Sequence, residues 1–185
     1  HRHIIVLGMG YVGLTLALKL SEQEFTVTGV DISEEIILNL SKGISHVHEF
    51  NIQNTLKEQL VKNFSVSNFI PENGDVYIVS VGTLVKDTSK GKETDLDSIK
   101  DVVSEIGKKL TIGNLVVLRS TVAIGTTRKF VLPILESFSG LKCGFDFHLA
   151  FAPERTVEGN ALQELSSLPQ IIGGFNDDSI QSTAA

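Results

Sequence analysis

The segment Gly8-Met9-Gly10-Tyr11-Val12-Gly13 has the residue types and spacing to hold a phosphate. Gly8 permits a tight turn, Gly10 lets the backbone come against a pyrophosphate, and Gly13 lets a following helix pack close to the preceding strand. Tyr11 and Val12 stand where that helix begins, and its N-terminus offers free backbone N–H groups and partial positive charge to an anion. Asp31 completes the pattern. A carboxylate at the end of a second strand accepts hydrogen bonds from adenosine ribose hydroxyls and repels a 2′-phosphate. Glu34 and Glu35 add to that repulsion and no arginine follows to neutralise it, so the expected cofactor is NAD rather than NADP. A glycine triplet alone is a weak signal; between a strand and a helix it is a dinucleotide fingerprint. The bland alternative is a structural turn with a surface acid nearby.

Further chemistry-bearing residues follow later apolar runs. Val81-Gly82-Thr83 is one set; Arg119-Ser120-Thr121-Val122 with Gly125-Thr126-Thr127 is another; Pro153-Glu154-Arg155 with Glu158-Gly159-Asn160 is a third. A threonine hydroxyl both donates and accepts, and a carboxylate beside a water is a general base, typically worth ~10²–10⁴-fold in rate. Plainer readings stand beside these. Thr121 could cap the turn that follows it, and Glu154 and Glu158, one helical turn apart, could form a solvated helix face.

These residues need elements to hold them. His3–Leu7, Thr26–Asp31, Val76–Val81, Leu115–Leu118, Phe147–Ala152 and Gln170–Gly173 read as short strands, most of them apolar runs. Helical spacing covers Val12–Glu22, a stretch from a Ser33 cap to about Ser41 before Gly43, Ile52–Lys62, Asp97–Leu110 with Asp97 as cap, and Thr126–Phe138; another helix starts at Asp177. Lys86–Thr94 is polar and expected to be an exposed, mobile loop. The alternation implies an α/β fold: a doubly wound, mostly parallel sheet covered by helices on both faces, with ligands at the carboxyl ends of the strands.

Composition excludes several classes. At 185 residues the chain suits one domain. Its net charge of −6 and lack of a basic run argue against a nucleic-acid partner. The single cysteine, Cys143, forms no internal disulfide and requires no oxidising compartment, so cytoplasm is the expected location. Apolar residues from Ile4 to Leu20 outline a secretory signal, but Gly8, Gly10, Gly13 and Lys19 interrupt them and no small-residue cleavage site follows. No apolar stretch is long enough to span a bilayer, so no membrane partner is expected, and no metal site is expected either.

Taken together, the glycine loop, Asp31, Val81-Gly82-Thr83, Ser120-Thr121-Val122, Gly125-Thr126-Thr127, the Ala152–Leu162 segment and Ile171-Ile172-Gly173-Gly174 resemble the UDP-glucose/GDP-mannose dehydrogenase family. Pro153-Glu154-Arg155 resembles its branch acting on UDP-N-acetylhexosamines such as UDP-N-acetylmannosamine. The resemblance implies a Rossmann-type NAD-binding domain and a four-electron oxidation of a nucleotide sugar, from C6 alcohol to aldehyde, to cysteine thioester, to carboxylate. It implies that Thr121 holds a water or lies against the nicotinamide, that Glu154 is the base for thioester hydrolysis, and that Glu158 meets the nicotinamide end. Thr83 and Ser120 join the cofactor contacts.

The sequence also departs from the family. Leu84 and Ala123-Ile124 stand where prolines are usual, and Ile36 stands where many members carry a basic residue. The cysteine, lysine and asparagine of the family's chemistry have no counterpart, and Cys143 has the wrong context. Residues 1–185 therefore read as an NAD-binding domain cut before a central helix and a C-terminal substrate domain, inactive alone, the whole protein a homodimer. Two other readings remain: a non-catalytic NAD-sensing module, and a β-hydroxyacid-type dehydrogenase.

Overall fold

The strand His3–Leu7 (β1) shows how the sheet is built. Ile4 and Val6 enter one apolar cluster and Ile5 and Leu7 another, because successive side chains of a strand point to opposite faces. The same alternation recurs in Val76–Val79 (β4) and Leu115–Leu118 (β7), all of whose residues are buried. Strands buried on both faces demand helices on both sides. The structure, a computed structural model, describes residues 2–83, 85–88 and 91–185.

With Thr26–Val30 (β2), Phe64–Ser67 (β3), His148–Phe151 (β8) and Gly173–Gly174 (β9), these strands form one sheet in the order β3-β2-β1-β4-β7-β8-β9. All neighbours are parallel except β8 and β9. The chain thus winds outward from β1 to β3, then returns to β4 and winds the other way, which opens a crevice between the carboxyl ends of β1 and β4. Tyr11–Glu22 (α1), Glu34–Ser41 (α2) and Ile52–Leu60 (α3) cover one face through Leu14, Leu18, Leu40 and Leu56. Asp97–Lys109 (α4) and Leu132–Ser139 (α5) cover the other through Ile99, Val103, Ile106 and Leu135. Ala161–Ser167 (α6) and Asp177–Ala184 (α7) complete the chain. None of the helices described is long and apolar enough to cross a membrane.

The doubly wound, mostly parallel architecture is the one expected, and the Ser33 cap is present, its hydroxyl accepting the Ile36 N–H at 3.3 Å. Several local expectations need correction. Strand β3 was not anticipated, being a four-residue edge strand. Within the expected loop Lys86–Thr94, the structure pairs Val85–Thr88 (β5) with Gly91–Thr94 (β6) as an antiparallel hairpin. Leu84, Ser89 and Lys90 lie outside the described residues, as does His1. Asp97 does not cap α4; Leu96 occupies that position, and Asp95 accepts the Asp97 N–H at 3.0 Å in an Asx-type turn. The helix expected from Thr126 opens as a π-helical turn, Thr127–Val131, because Pro133 lacks an N–H and its ring would crowd the Lys129 carbonyl in an α-helix. The last strand is shorter than Gln170–Gly173 and displaced onto the two glycines, where a Cβ on Gly174 would lie 2.6 Å from Ile180 of α7.

Ile5 lies in β1 with no exposed surface, packed under α4 and α5. Replacing it with alanine leaves a cavity, so Ile5→Ala is expected to lower the unfolding free energy by about 3 kcal/mol. Urea titration would show this as a lower midpoint with an unchanged slope.

Candidate functional site

Each glycine of the first loop has a distinct local reason. Gly8 adopts φ +94°, and a Cβ there would lie 2.8 Å from the Ser80 carbonyl oxygen at the end of β4. A Cβ on Gly13 would lie 1.7 Å from the Gly8 carbonyl oxygen, so α1 packs onto the loop at a distance only glycine allows. Gly10, in contrast, has ordinary backbone angles and nothing within 4 Å of its Cβ position. It is the N-cap of α1, carries no side-chain cap, and faces open space. Met9, fully buried, anchors the loop in the core, where a Cβ on Gly29 would meet its sulfur at 2.4 Å. Asp31 ties the loop to β2: its carboxylate accepts the Met9 N–H at 2.7 Å and the Ser33 N–H at 2.9 Å. Two carboxylate oxygens offer about four acceptor sites, so capacity remains for ribose hydroxyls.

A cleft of about 870 Å³ opens at this switch point. Gly8, Gly10, Tyr11, Val12 and Asp31 line it; Gly13 lies beneath and sets the spacing. Ser80, also in the lining, has a buried hydroxyl oxygen with no hydrogen-bond partner among the described residues. Ile32 and Phe69 offer apolar surface, 92% and 68% exposed, suited to a flat ring. The far wall is α4, which sequence reading did not connect with the site. It brings Asp101, Glu105 and Lys109, the last paired with Glu72. With Asp31, the lining is rich in carboxylates and hostile to an extra phosphate. Ile36, from α2, lines the same cleft.

Thr83, Ser120, Thr121, Glu154 and Glu158 lie outside that cleft lining, on loops at the carboxyl ends of β4, β7 and β8. The Thr83 hydroxyl donates to the Thr121 carbonyl at 2.8 Å, joining two of these loops. Ser120 is buried and donates to the Val81 carbonyl at 2.7 Å, so its hydroxyl is committed to the backbone. Thr121 is exposed and its hydroxyl makes no hydrogen bond among the described residues, so it caps nothing. The segment from Ala152 to Asn160 is not helical, which disposes of the helix-face reading of Glu154 and Glu158.

The two glutamates have different surroundings. Glu158 is exposed and unpaired among the described residues. Glu154 is nearly buried against Arg119, 2.6 Å away, whose side chain is 5% exposed. Its other oxygen accepts the Arg155 and Thr156 N–H groups at 2.7 and 2.8 Å. Burial alone would raise the Glu154 pKa; the Arg119 bond and charge, with the two N–H groups, outweigh it and hold the carboxyl below its ordinary value. Arg155 turns back to donate to the Pro169 carbonyl at 2.9 Å. Cys143 is buried, and burial first, then Glu136, pushes its thiol up to about 11, which disfavours the thiolate. Glu49, which no local signal marked, binds the Tyr11 hydroxyl from the loop between α2 and α3.

The UDP-glucose/GDP-mannose dehydrogenase family, NAD-binding domain, matches residues 2–185. The chain is 33% identical over 177 residues to a UDP-N-acetyl-D-mannosamine dehydrogenase of Pyrococcus horikoshii, covering 94% of this chain and 41% of that protein. It is 34% identical over 171 residues to a UDP-N-acetyl-D-glucosamine 6-dehydrogenase of Pseudomonas aeruginosa, covering 92% and 39%. The solved structure of the Pyrococcus horikoshii UDP-D-ManNAc dehydrogenase superposes with a TM-score of 0.93 at 32% identity, covering 99% of this chain and 43% of that one. The chain thus spans about 40% of the length of the curated relatives it matches.

Removing Arg119 would strand the Glu154 carboxylate in a buried place. Arg119→Met is expected to cost about 3 kcal/mol near neutral pH, the scale of a broken buried pair. Because the folded-state pKa of Glu154 is lowered, the pair's contribution is complete above its ordinary 4.5 and is lost as pH falls through the lower folded value. Urea titrations of both proteins should therefore converge in midpoint on acidification below that range.

Proposed function

Because the chain belongs to the UDP-glucose/GDP-mannose dehydrogenase family and is its NAD-binding domain, we propose that it is the cofactor half of an NAD-dependent nucleotide-sugar 6-dehydrogenase. The observation that carries the reading is the loop Gly8–Gly13, which leaves open space at Gly10 and the free N–H groups of α1 at the edge of a cleft that ends on Asp31. That cradle fits a pyrophosphate, Asp31 fits an adenosine ribose, and the acid-rich lining selects NAD over NADP. Bound NAD supplies an acceptor for the hydride leaving the alcohol carbon. The substrate class we propose is a UDP-N-acetylhexosamine, supported by the relatives' activities and by Pro153-Glu154-Arg155. We further propose that the substrate half and the thiol of the oxidation lie outside residues 1–185, and that the whole protein is a cytoplasmic homodimer. Family membership leaves the β-hydroxyacid-type alternative without support.

Within this scheme Thr121 and Glu158, exposed and with side chains that make no hydrogen bond among the described residues, are the groups best placed to meet the nicotinamide end. Thr83 and Ser120 hold the loops that carry them. Glu154, its pKa lowered by the Arg119 guanidinium and the Arg155 and Thr156 amides, is a weakened base in this arrangement. Its present bonding makes it the anchor of the loop.

Calorimetric titration with NAD and NADP tests the cofactor assignment. NAD should bind more tightly, and Asp31→Ala should weaken NAD by about tenfold or more, roughly 1.4 kcal/mol, while narrowing the preference. Gly10→Ala should fold and melt like the parent yet lose a comparable factor in NAD affinity, since its methyl enters only the ligand's space. Gly13→Ala should not reach the native fold by circular dichroism. Oxidation of a UDP-N-acetylhexosamine by the full-length protein would support the substrate reading. A protein that binds NAD and oxidises no nucleotide sugar would instead be a sensing module.

A further inference from the structure

Three segments distant in sequence meet at the first turn of α1. The Tyr11 hydroxyl donates to the Glu49 carboxylate, and the Gly159 N–H reaches both, 2.8 Å to the Tyr11 oxygen and 3.1 Å to Glu49 Oε2. The Val157 carbonyl lies 3.3 Å from the same hydroxyl. Gly159 adopts φ +96°, which brings its N–H into this position at no steric cost and which a side-chain-bearing residue would adopt only under strain. Burial first, then the Glu49 bond, raises the Tyr11 pKa, so the phenol keeps its proton and its role as donor. The segment between β8 and α6 has no regular structure and is pinned at four places: Glu154 to Arg119, Arg155 to the Pro169 carbonyl, the Val157 N–H to Glu164 at 2.7 Å, and Gly159 to Tyr11 and Glu49. Among the described residues, the last pin and the contact of the Tyr11 hydroxyl with the Val157 carbonyl connect it to the glycine loop. Glu158 lies between the last two pins, and the Tyr11 ring lines the cleft.

We propose that Tyr11 and Glu49 are positioning residues, a clamp that fixes the Glu158 segment against the glycine loop and so holds the two halves of the dinucleotide site at one spacing. Glu49 acts here from outside the cleft lining, through Tyr11 and the Gly159 backbone. The proposal rests on the reading of the cleft as an NAD site. Breaking the clamp frees the segment without removing any group that faces the pyrophosphate, so its effect falls on how long a dinucleotide stays bound.

Tyr11→Phe, Glu49→Ala, Glu49→Gln and the Tyr11→Phe/Glu49→Ala pair test this on the present chain with two readouts. Hydrogen exchange followed by mass spectrometry should show faster exchange of the Val157–Ala161 amides in Tyr11→Phe and Glu49→Ala, with protection largely kept in Glu49→Gln, whose amide oxygen still accepts. Stopped-flow fluorescence of NADH release should show dissociation about tenfold faster in the first two, the scale of one hydrogen bond to a charged group. The pair should be no worse than either single variant, as members of one unit are non-additive. Unchanged exchange in both single variants overturns the clamp. Faster exchange with unchanged NADH release overturns the positioning role. If the parent chain binds no NADH, the cofactor reading fails while the exchange arm still decides the clamp.

Discussion

The tightest approach at any described glycine is that of α1 to the loop that precedes it, where a Cβ on Gly13 would lie 1.7 Å from the Gly8 carbonyl oxygen. This contact sets the angle at which α1 leaves β1, and with it the direction of the unbonded N–H groups at the helix start. Gly8 depends on a second such approach, to the end of β4, so the loop is wedged between the two strands at which the winding reverses. Met9 and Asp31 lock it from the other side, one by burial against Gly29 and one by bonds to backbone N–H groups. The cradle proposed for the pyrophosphate is therefore shaped by packing and hydrogen bonds within the chain.

Local features were legible because their causes are local. The limits of β1 and β7 follow from short apolar runs bounded by turn residues, and the start of α2 follows from Ser33 with acids in the first turn. The glycine loop was legible from its spacing: Gly13 answers a demand set by Gly8 five residues before it, although the approach of Gly8 to Ser80 spans distant segments and Gly10 meets nothing within 4 Å. What escaped depends on distant partners. Strand β3 is the edge partner of β2, and its two-residue alternation of Phe64 and Val66 with serines is too short to outweigh its surroundings. The β5–β6 hairpin is drawn from polar residues with no apolar face to announce it. The π-helical turn required weighing Pro133 against a carbonyl four residues back, a conflict visible in the sequence but not resolved by it. The Arg119–Glu154 pair and the Glu49 contact span separations that no local pattern encodes.

The two halves of the site are built on different principles. Around the glycine loop, positions are set by van der Waals contact inside a packed interior, which is stiff and leaves no room for an added carbon at Gly8 or Gly13. Beyond β7 and β8, positions are set by hydrogen bonds and ion pairs between side chains and loop backbone, with Thr83, Ser120, Arg119 and Glu164 each holding one stretch. Such bonds contribute about 1 kcal/mol each, more where a charge takes part, and each exchanges against water more readily than core packing does. The difference matches what the proposed function would ask of each half. A pyrophosphate and a ribose are the same in every catalytic cycle and reward a rigid cradle. Groups that meet a reacting carbon have to admit a substrate, exclude water and release a product, which requires a loop whose anchors open one at a time. Glu154 shows the cost of that arrangement: the carboxylate that best anchors the loop is, for as long as it does so, a poor proton acceptor. In this chain the exposed Thr121 and Glu158 are left free because buried Arg119, Ser120 and Glu154 are not, and the chemistry available at the strand ends follows from that division of labour.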